Sequence, residues 1–203
     1  CETLVNTGLV VVSGEISTTT YVDIPKIVRE TINEIGYNDG AMGFDADACA
    51  VISAIDEQSP DIAQGVDEAL EHRTDPSDND EFDLEGAGDQ GMMFGYATRE
   101  TSALMPMPAQ IAPTLAPRLA DLHKSGEIPY LRPDGKTQVT VRYRDGVPVE
   151  VVKLLISTQH DPGIDSQSTI KPDLFEHVIG PVLSGEYAGM YDESALLGNF
   201  LVN

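Results

Sequence analysis

Thr137-Gln-Val-Thr-Val-Arg-Tyr143, Arg144-Asp145-Gly146 and Val147-Pro-Val-Glu-Val-Val-Lys-Leu-Leu-Ile-Ser157 follow one another without a break. Two β-branched runs flank an Asp-Gly pair, whose residues tolerate the positive φ that a tight hairpin demands, so the stretch predicts an antiparallel hairpin. A hairpin alone cannot bury its apolar face and needs a cover. Downstream, Leu174, Val178, Ile179 and Val182 fall on one helical face behind Pro172 and Asp173, predicting a helix over roughly 171–183. Upstream, Ile111, Leu115, Leu119 and Leu122 have helical spacing over 107–125. Pro113 and Pro117 oppose it, because an interior proline removes a backbone donor and clashes with the preceding turn. A helix that starts late or is kinked is expected there.

The first part of the chain repeats the theme. Residues 2–17 read as two strands with a bend at Gly8. Ile24, Ile27, Val28, Ile32 and Ile35 make one face of a helix over roughly 23–35, with Asp23 as cap, Pro25 in the first turn and Gly36 as stop. Residues 48–55 are an apolar strand, 92–97 a further short strand, and 199–203 the start of another. Strands and helices do not alternate regularly, so the expected class is α+β, with helices on one face of mostly antiparallel sheets.

The chain has 203 residues, enough for one or two domains. Acidic residues number 34 and basic residues 12, a formal charge of −22 that opposes binding to nucleic acid or to an anionic membrane. No apolar run is long enough to span a bilayer. Two cysteines, Cys1 and Cys49, are no disulfide scaffold and fit a cytoplasmic protein. The opening at Cys1 rather than Met, and the stop inside a strand-like run, lead us to expect an internal fragment of a longer protein.

Residues 67–85 hold nine acidic residues against Arg73, which predicts a mobile, solvated acidic loop or linker between a first part, 1–66, and a second, 86–203. A calcium loop starting at Asp78 fails, because the sixth position is Asp83 where glycine is required.

Four segments carry candidate chemistry. Gly86-Ala87-Gly88-Asp89-Gln90-Gly91 combines three glycines with an acid and an amide, which suits close approach of a small charged ligand and equally a plain turn. Arg132-Pro133-Asp134-Gly135-Lys136 reads as a turn carrying a cation suited to phosphate, or as a turn with a surface lysine. Gln58-Ser59-Pro60-Asp61-Ile62-Ala63-Gln64-Gly65-Val66-Asp67 reads as a polar loop after an apolar strand, a usual place for ligand groups. Glu2 and Glu15 are carboxylates in glycine-interrupted apolar sequence, either exposed at an edge or bound to a cation. His160, at the end of the second hairpin strand, reads more readily as structural than as catalytic. No catalytic triad, zinc set or phosphate-loop signature is present.

The string Gly86-Ala-Gly-Asp-Gln-Gly-Met-Met-Phe-Gly-Tyr96 resembles the GAGDQG signature of the S-adenosylmethionine synthetase (methionine adenosyltransferase) family. Cys1-Glu-Thr, Gly14-Glu15-Ile16, Gln58–Asp67, Pro129–Gln138 and Ser157-Thr-Gln-His160 resemble it too, in the family's order. The resemblance implies a transferase making S-adenosylmethionine from ATP and L-methionine, with release of phosphate and diphosphate. It implies Mg²⁺ and K⁺ as cofactors, and a fold of three similar α+β domains. It also implies a homodimer or dimer of dimers with active sites shared between subunits. Position by position, Glu15, Gln58 and Asp89 match methionine contacts, with Asp89 the catalytic carboxylate near the sulfur. Asp134, Gly135 and Lys136 match an ATP-contacting segment, and Glu2 matches a potassium-site glutamate. The resemblance further implies that 1–66 is the remainder of a first domain and 86–203 a second, central one. The third domain, and elements bearing most magnesium aspartates and phosphate-binding cations, would lie outside the chain, so the isolated piece is expected to be inactive. A non-catalytic relative keeping the fold and dimer surface is the alternative.

Overall fold

The computed structural model describes residues 1–77, 80–82, 84 and 92–203. The chain divides into two compact units, Cys1–Phe94 and Gly95–Asn203. Both are mixed helix and sheet, as the α+β class requires.

In the first unit, β1 (Glu2–Asn6) and β2 (Leu9–Glu15) form an antiparallel hairpin, and Gly8 takes φ +72° in its turn. Helix α1 (Ile24–Ile35) follows. The Asp23 carboxylate accepts from the Lys26 amide at 3.2 Å, and Gly36 ends the helix with φ +113°. These are the cap and stop expected from the sequence. A short antiparallel pair, β3 (Asn38–Asp39) and β4 (Phe44–Asp45), was not anticipated. β5 (Ala50–Asp56) then runs parallel to β2, so the sheet has order β1-β2-β5. Val10, Ile32, Ala46 and Cys49 form a small core between α1 and this sheet. Arg29 reaches from α1 to the carbonyls of Ala46, Asp47 and Cys49, satisfying a turn that has no ladder of its own.

Two expectations for residues 58–85 are corrected. Residues 60–67 are helical, not a polar loop: α2 spans Pro60–Asp67, with Pro60 and Asp61 in a first turn that suits both. The acidic stretch contains a helical turn, α3 (Leu70–Thr74), in place of a loop throughout. Residues 78, 79, 83 and 85 of that stretch lie outside the described residues.

The second unit is built around the predicted hairpin, which is longer than expected. β6 (Leu131–Arg144) and β7 (Val147–His160) are fourteen residues each, and Asp145 and Gly146 take φ +51° and +77° at the turn. β8 (Leu201–Val202) joins β7 in parallel, giving the order β6-β7-β8. Each three-stranded sheet therefore pairs one antiparallel and one parallel neighbour rather than being mostly antiparallel.

Helix α4 (Met107–Ser125) packs on β6 and runs through Pro113 and Pro117 unbroken, starting no later than the spacing allows. Its buried face holds Met107, Ile111, Leu115, Leu119 and Leu122. Both interior prolines are exposed on the opposite face, as is Ala109. The carbonyls that lose partners, Ala109 and Pro113, belong to that wet face, where water replaces them at low cost. Residues 92–97, expected as a strand, pair with no sheet among the described residues. The last predicted helix begins five residues early. Asp165 caps a helical run over 166–183, accepting from the Gln167 and Ser168 amides at 3.0 and 2.7 Å. Two π-turns, Ser166–Ile170 and Phe175–Ile179, interrupt its α geometry. Ile170, Leu174, Val178, Ile179 and Leu183 of this run join α4 and the sheet in one large core, closed by Phe200.

Candidate functional site

The parallel register of β2 and β5 decides what the first unit can do. Glu15 stands opposite Asp56 at the exits of the two strands. The Ile16 amide donates to the Asp56 carbonyl at 2.9 Å, extending the ladder one step. Beyond it, the Gln58 backbone N–H donates to the Ser17 hydroxyl oxygen at 3.3 Å. Glu15 and Gln58 are therefore delivered to the same edge, from segments 41 residues apart at the Ser17–Gln58 bond. A depression lined by Ile16, Ser17, Thr18, Thr19 and Glu57 opens beside them.

The chemistry of this edge is legible. Glu15 and Asp56 are register partners where the strands end and Glu57 follows in sequence, a local surplus of negative charge that favours an ammonium group. The hydroxyls of Ser17, Thr18 and Thr19 are donors and acceptors for a carboxylate or amide. A zwitterionic amino acid presents both kinds of group. Ser17 was not among the expected site residues. Its signal is the hydroxyl run Ser17-Thr18-Thr19-Thr20 directly after Glu15-Ile16.

A second cavity, of about 460 Å³, lies between α1 and the sheet, lined by Val5, Val10, Val12, Ile27, Ile32 and Ile35 among others. Its walls are almost wholly apolar and hold none of the expected site residues, so it is no place for a charged substrate.

In the second unit, Asp134, Gly135 and Lys136 lie inside β6. The expected Pro-Asp-Gly hairpin turn is corrected to a bulged strand. Leu131 pairs with His160 and Gly135 with Thr158, so four steps along β6 oppose two along β7. Arg132, Pro133 and Asp134 thus stand against Gln159 alone, two residues more than the partner strand. Arg132 is held by an ion pair with Asp161. Gly135, Thr137, Val139 and Val141 face inward, while Asp134, Lys136, Gln138 and Thr140 are exposed. Lys136 Nζ is 3.8 Å from Asp134 Oδ2, with the lysine side chain 76 % exposed. Such a pair contributes little to folding and leaves the ammonium available to a phosphate. His160 Nδ1 lies 2.8 Å from the Asp161 carbonyl oxygen, a structural contact.

Asp89 and the whole Gly86–Gly91 loop lie outside the described residues. Glu2 is exposed on β1 opposite Ser13. Among the described residues, no group of three or more His, Cys, Asp or Glu side chains is placed to hold a metal ion. A single exposed carboxylate is not the donor set of a K⁺ or Mg²⁺ site, so the described residues do not by themselves fit either ion. No helix among them is long and apolar enough to cross a membrane.

Comparison with known proteins meets these features. Residues 1–60 match the N-terminal domain of S-adenosylmethionine synthetase and residues 84–200 match its central domain. The chain belongs to the S-adenosylmethionine synthetase family. An S-adenosylmethionine synthase of Desulforudis audaxviator is 60% identical over 183 residues, covering 90% of this chain and 46% of the relative. One of Clostridium acetobutylicum is 58% identical over 186 residues, covering 92% and 47%. The chain thus spans about half the length of the curated relatives it matches.

Proposed function

We propose that this chain is the methionine-side half of a methionine adenosyltransferase. The complete protein would convert ATP, L-methionine and water into S-adenosylmethionine, phosphate and diphosphate. The observation that carries the reading is the shared edge of Glu15 and Gln58, tied through Ser17, in a chain about 60% identical to named synthases. Glu15 and Gln58 bind the amino acid, the first opposing its ammonium and the second its polar end. Asp89 faces the sulfur and stabilises the positive charge that develops as the thioether attacks C5′ of the nucleotide. Asp134, Gly135 and Lys136 contact ATP, with Lys136 drawing off negative charge as the triphosphate leaves. Holding sulfur and C5′ in line is the larger part of the catalytic task, since neither reactant needs a covalent partner on the protein.

The complete protein uses Mg²⁺ and K⁺ in this reading, with Glu2 assigned to K⁺, and no step above is routed through either ion. It works in the cytoplasm as a homodimer or dimer of dimers, without nucleic acid or membrane. Residues 1–66 and 86–203 belong to its first and central domains, with 67–85 between them. The 203-residue chain alone has little or no turnover, because phosphate-binding cations are scarce in it: twelve Lys and Arg against 34 acids.

The test is diphosphate release with ATP, methionine, Mg²⁺ and K⁺, run on the complete protein and on the isolated chain. Release by the first alone supports the reading. No release by the complete protein favours the non-catalytic alternative, and robust release by the isolated chain removes the shared-site part of it.

A further inference from the structure

A Cβ built on Gly135 would lie 2.5 Å from Leu119 Cδ2, far inside contact distance. Gly135 is the position where pairing with β7 resumes after the bulge, at Thr158. Two residues on, Thr137 Oγ1 donates to the Ala112 carbonyl at 2.8 Å, so α4 is fastened to the same inward face of β6. Leu119 is only 5 % exposed and shares its core with Ile111, Leu115 and Leu122. Its tip has a well-filled surround and yields reluctantly. The strand just before Gly135 is the freer side: Asp134 and Lys136 are exposed, and Arg132 to Asp134 have no ladder partners in the register, although Gly135 and Lys136 pair with Thr158 and Ser157.

We propose that the Leu119–Gly135 contact is a positioning device: α4 seats directly on the β6 backbone at Gly135, and this sets the height at which Asp134 and Lys136 are offered to the nucleotide. The proposal rests on the reading that this segment contacts ATP. Leu119 and Gly135 are positioning residues. Neither needs to touch substrate through a side chain. A methyl group at Gly135 pushes the strand outward and misplaces the Lys136 ammonium, while the packed core beneath stays put.

Steady-state kinetics of the complete protein test it. Gly135→Ala is expected to raise the KM for ATP about tenfold while the KM for methionine changes less than about twofold. Gly135→Ala combined with Leu119→Val, which lacks the Cδ atoms that clash, is expected to return the ATP KM to within about threefold of the parent. Leu115→Val, an equal loosening elsewhere on α4, is the control and leaves the ATP KM unchanged. A Gly135→Ala protein that melts lower but binds ATP normally would overturn the proposal, as would failure of Leu119→Val to rescue. If Gly135→Ala does not fold, the double variant decides: a folded double variant with near-parent ATP KM supports the device, and one with a raised KM overturns it. Lys136→Ala separates this from the underlying reading. An unchanged ATP KM in that variant removes the ATP assignment itself, whatever Gly135→Ala does.

Discussion

The Gln58 backbone N–H donates to the Ser17 hydroxyl oxygen at 3.3 Å, joining the exit of β5 to the exit of β2. It carries the join one step past the Ile16–Asp56 backbone bond and ties Gln58 to the segment that follows Glu15. Ser17→Ala is therefore expected to raise the methionine KM about threefold to tenfold with little change in melting temperature, since one exposed hydrogen bond contributes about 1 kcal/mol or less. Steady-state kinetics and a thermal melt of the same variant check both halves.

A second expectation concerns the chemical step. On the proposed reading, Asp89→Asn keeps the size of the side chain and removes the charge that would oppose the developing sulfonium. It should lower kcat by about a hundredfold or more while changing both KM values little. Rapid-quench measurement of S-adenosylmethionine formed in the first turnover separates this step from later cleavage of the triphosphate.

The fold has its own test at α1. Asp23 caps the helix through the Lys26 amide. Asp23→Ala is expected to cost about 1 kcal/mol, read by denaturant or thermal unfolding, whereas Asp23→Ser should retain most of it.

The elements that were legible in the sequence have their determinants close by in the chain. The apolar spacing of α1, its Asp23 cap and its Gly36 stop all lie within fourteen residues, and the Asp145-Gly146 turn with the runs beside it is one unbroken stretch, 137–157. The misread elements depend on partners far away. Pro113 and Pro117 are tolerated because both fall on the wet face of α4, and which face is wet is decided by β6. Pro133-Asp134-Gly135 has the composition of a turn, yet pairing with Thr158 and packing under Leu119 draw it into a strand. The candidate site was legible in another way, through strings in family order. Spacing alone makes Gly86–Gly91 as readily a turn as a ligand loop, and Ser17 is marked only by the hydroxyl run it opens.

A fourth prediction follows from Glu100 and Tyr143. The Tyr143 hydroxyl donates to Glu100 at 2.5 Å and the Met107 amide at 2.9 Å, which holds the carboxyl below its ordinary value of 4.5. Burial first, then Glu100, pushes Tyr143 up from 10.0 to about 12. A depressed carboxyl stabilises the fold above about pH 4.5 and loses that contribution as pH falls further. A raised phenol stabilises fully below pH 10 and loses its share as pH climbs toward about 12. Glu100→Gln should flatten the acid limb of a stability–pH curve and the alkaline limb only in part, because burial of Tyr143 persists. Tyr143→Phe should flatten the alkaline limb and leave part of the acid limb, which the Met107 amide still supports. Chemical unfolding from pH 3 to pH 12 reads the difference.

The central claim is that one end of this chain serves methionine and the other serves ATP. Its most direct test is a crossed kinetic experiment on the complete protein, measuring both KM values for Gln58→Ala and for Lys136→Ala. The account predicts that Gln58→Ala raises the methionine KM about tenfold and spares that for ATP, and that Lys136→Ala does the reverse. Both KM values unchanged in both variants, or both moving together in each, would contradict it.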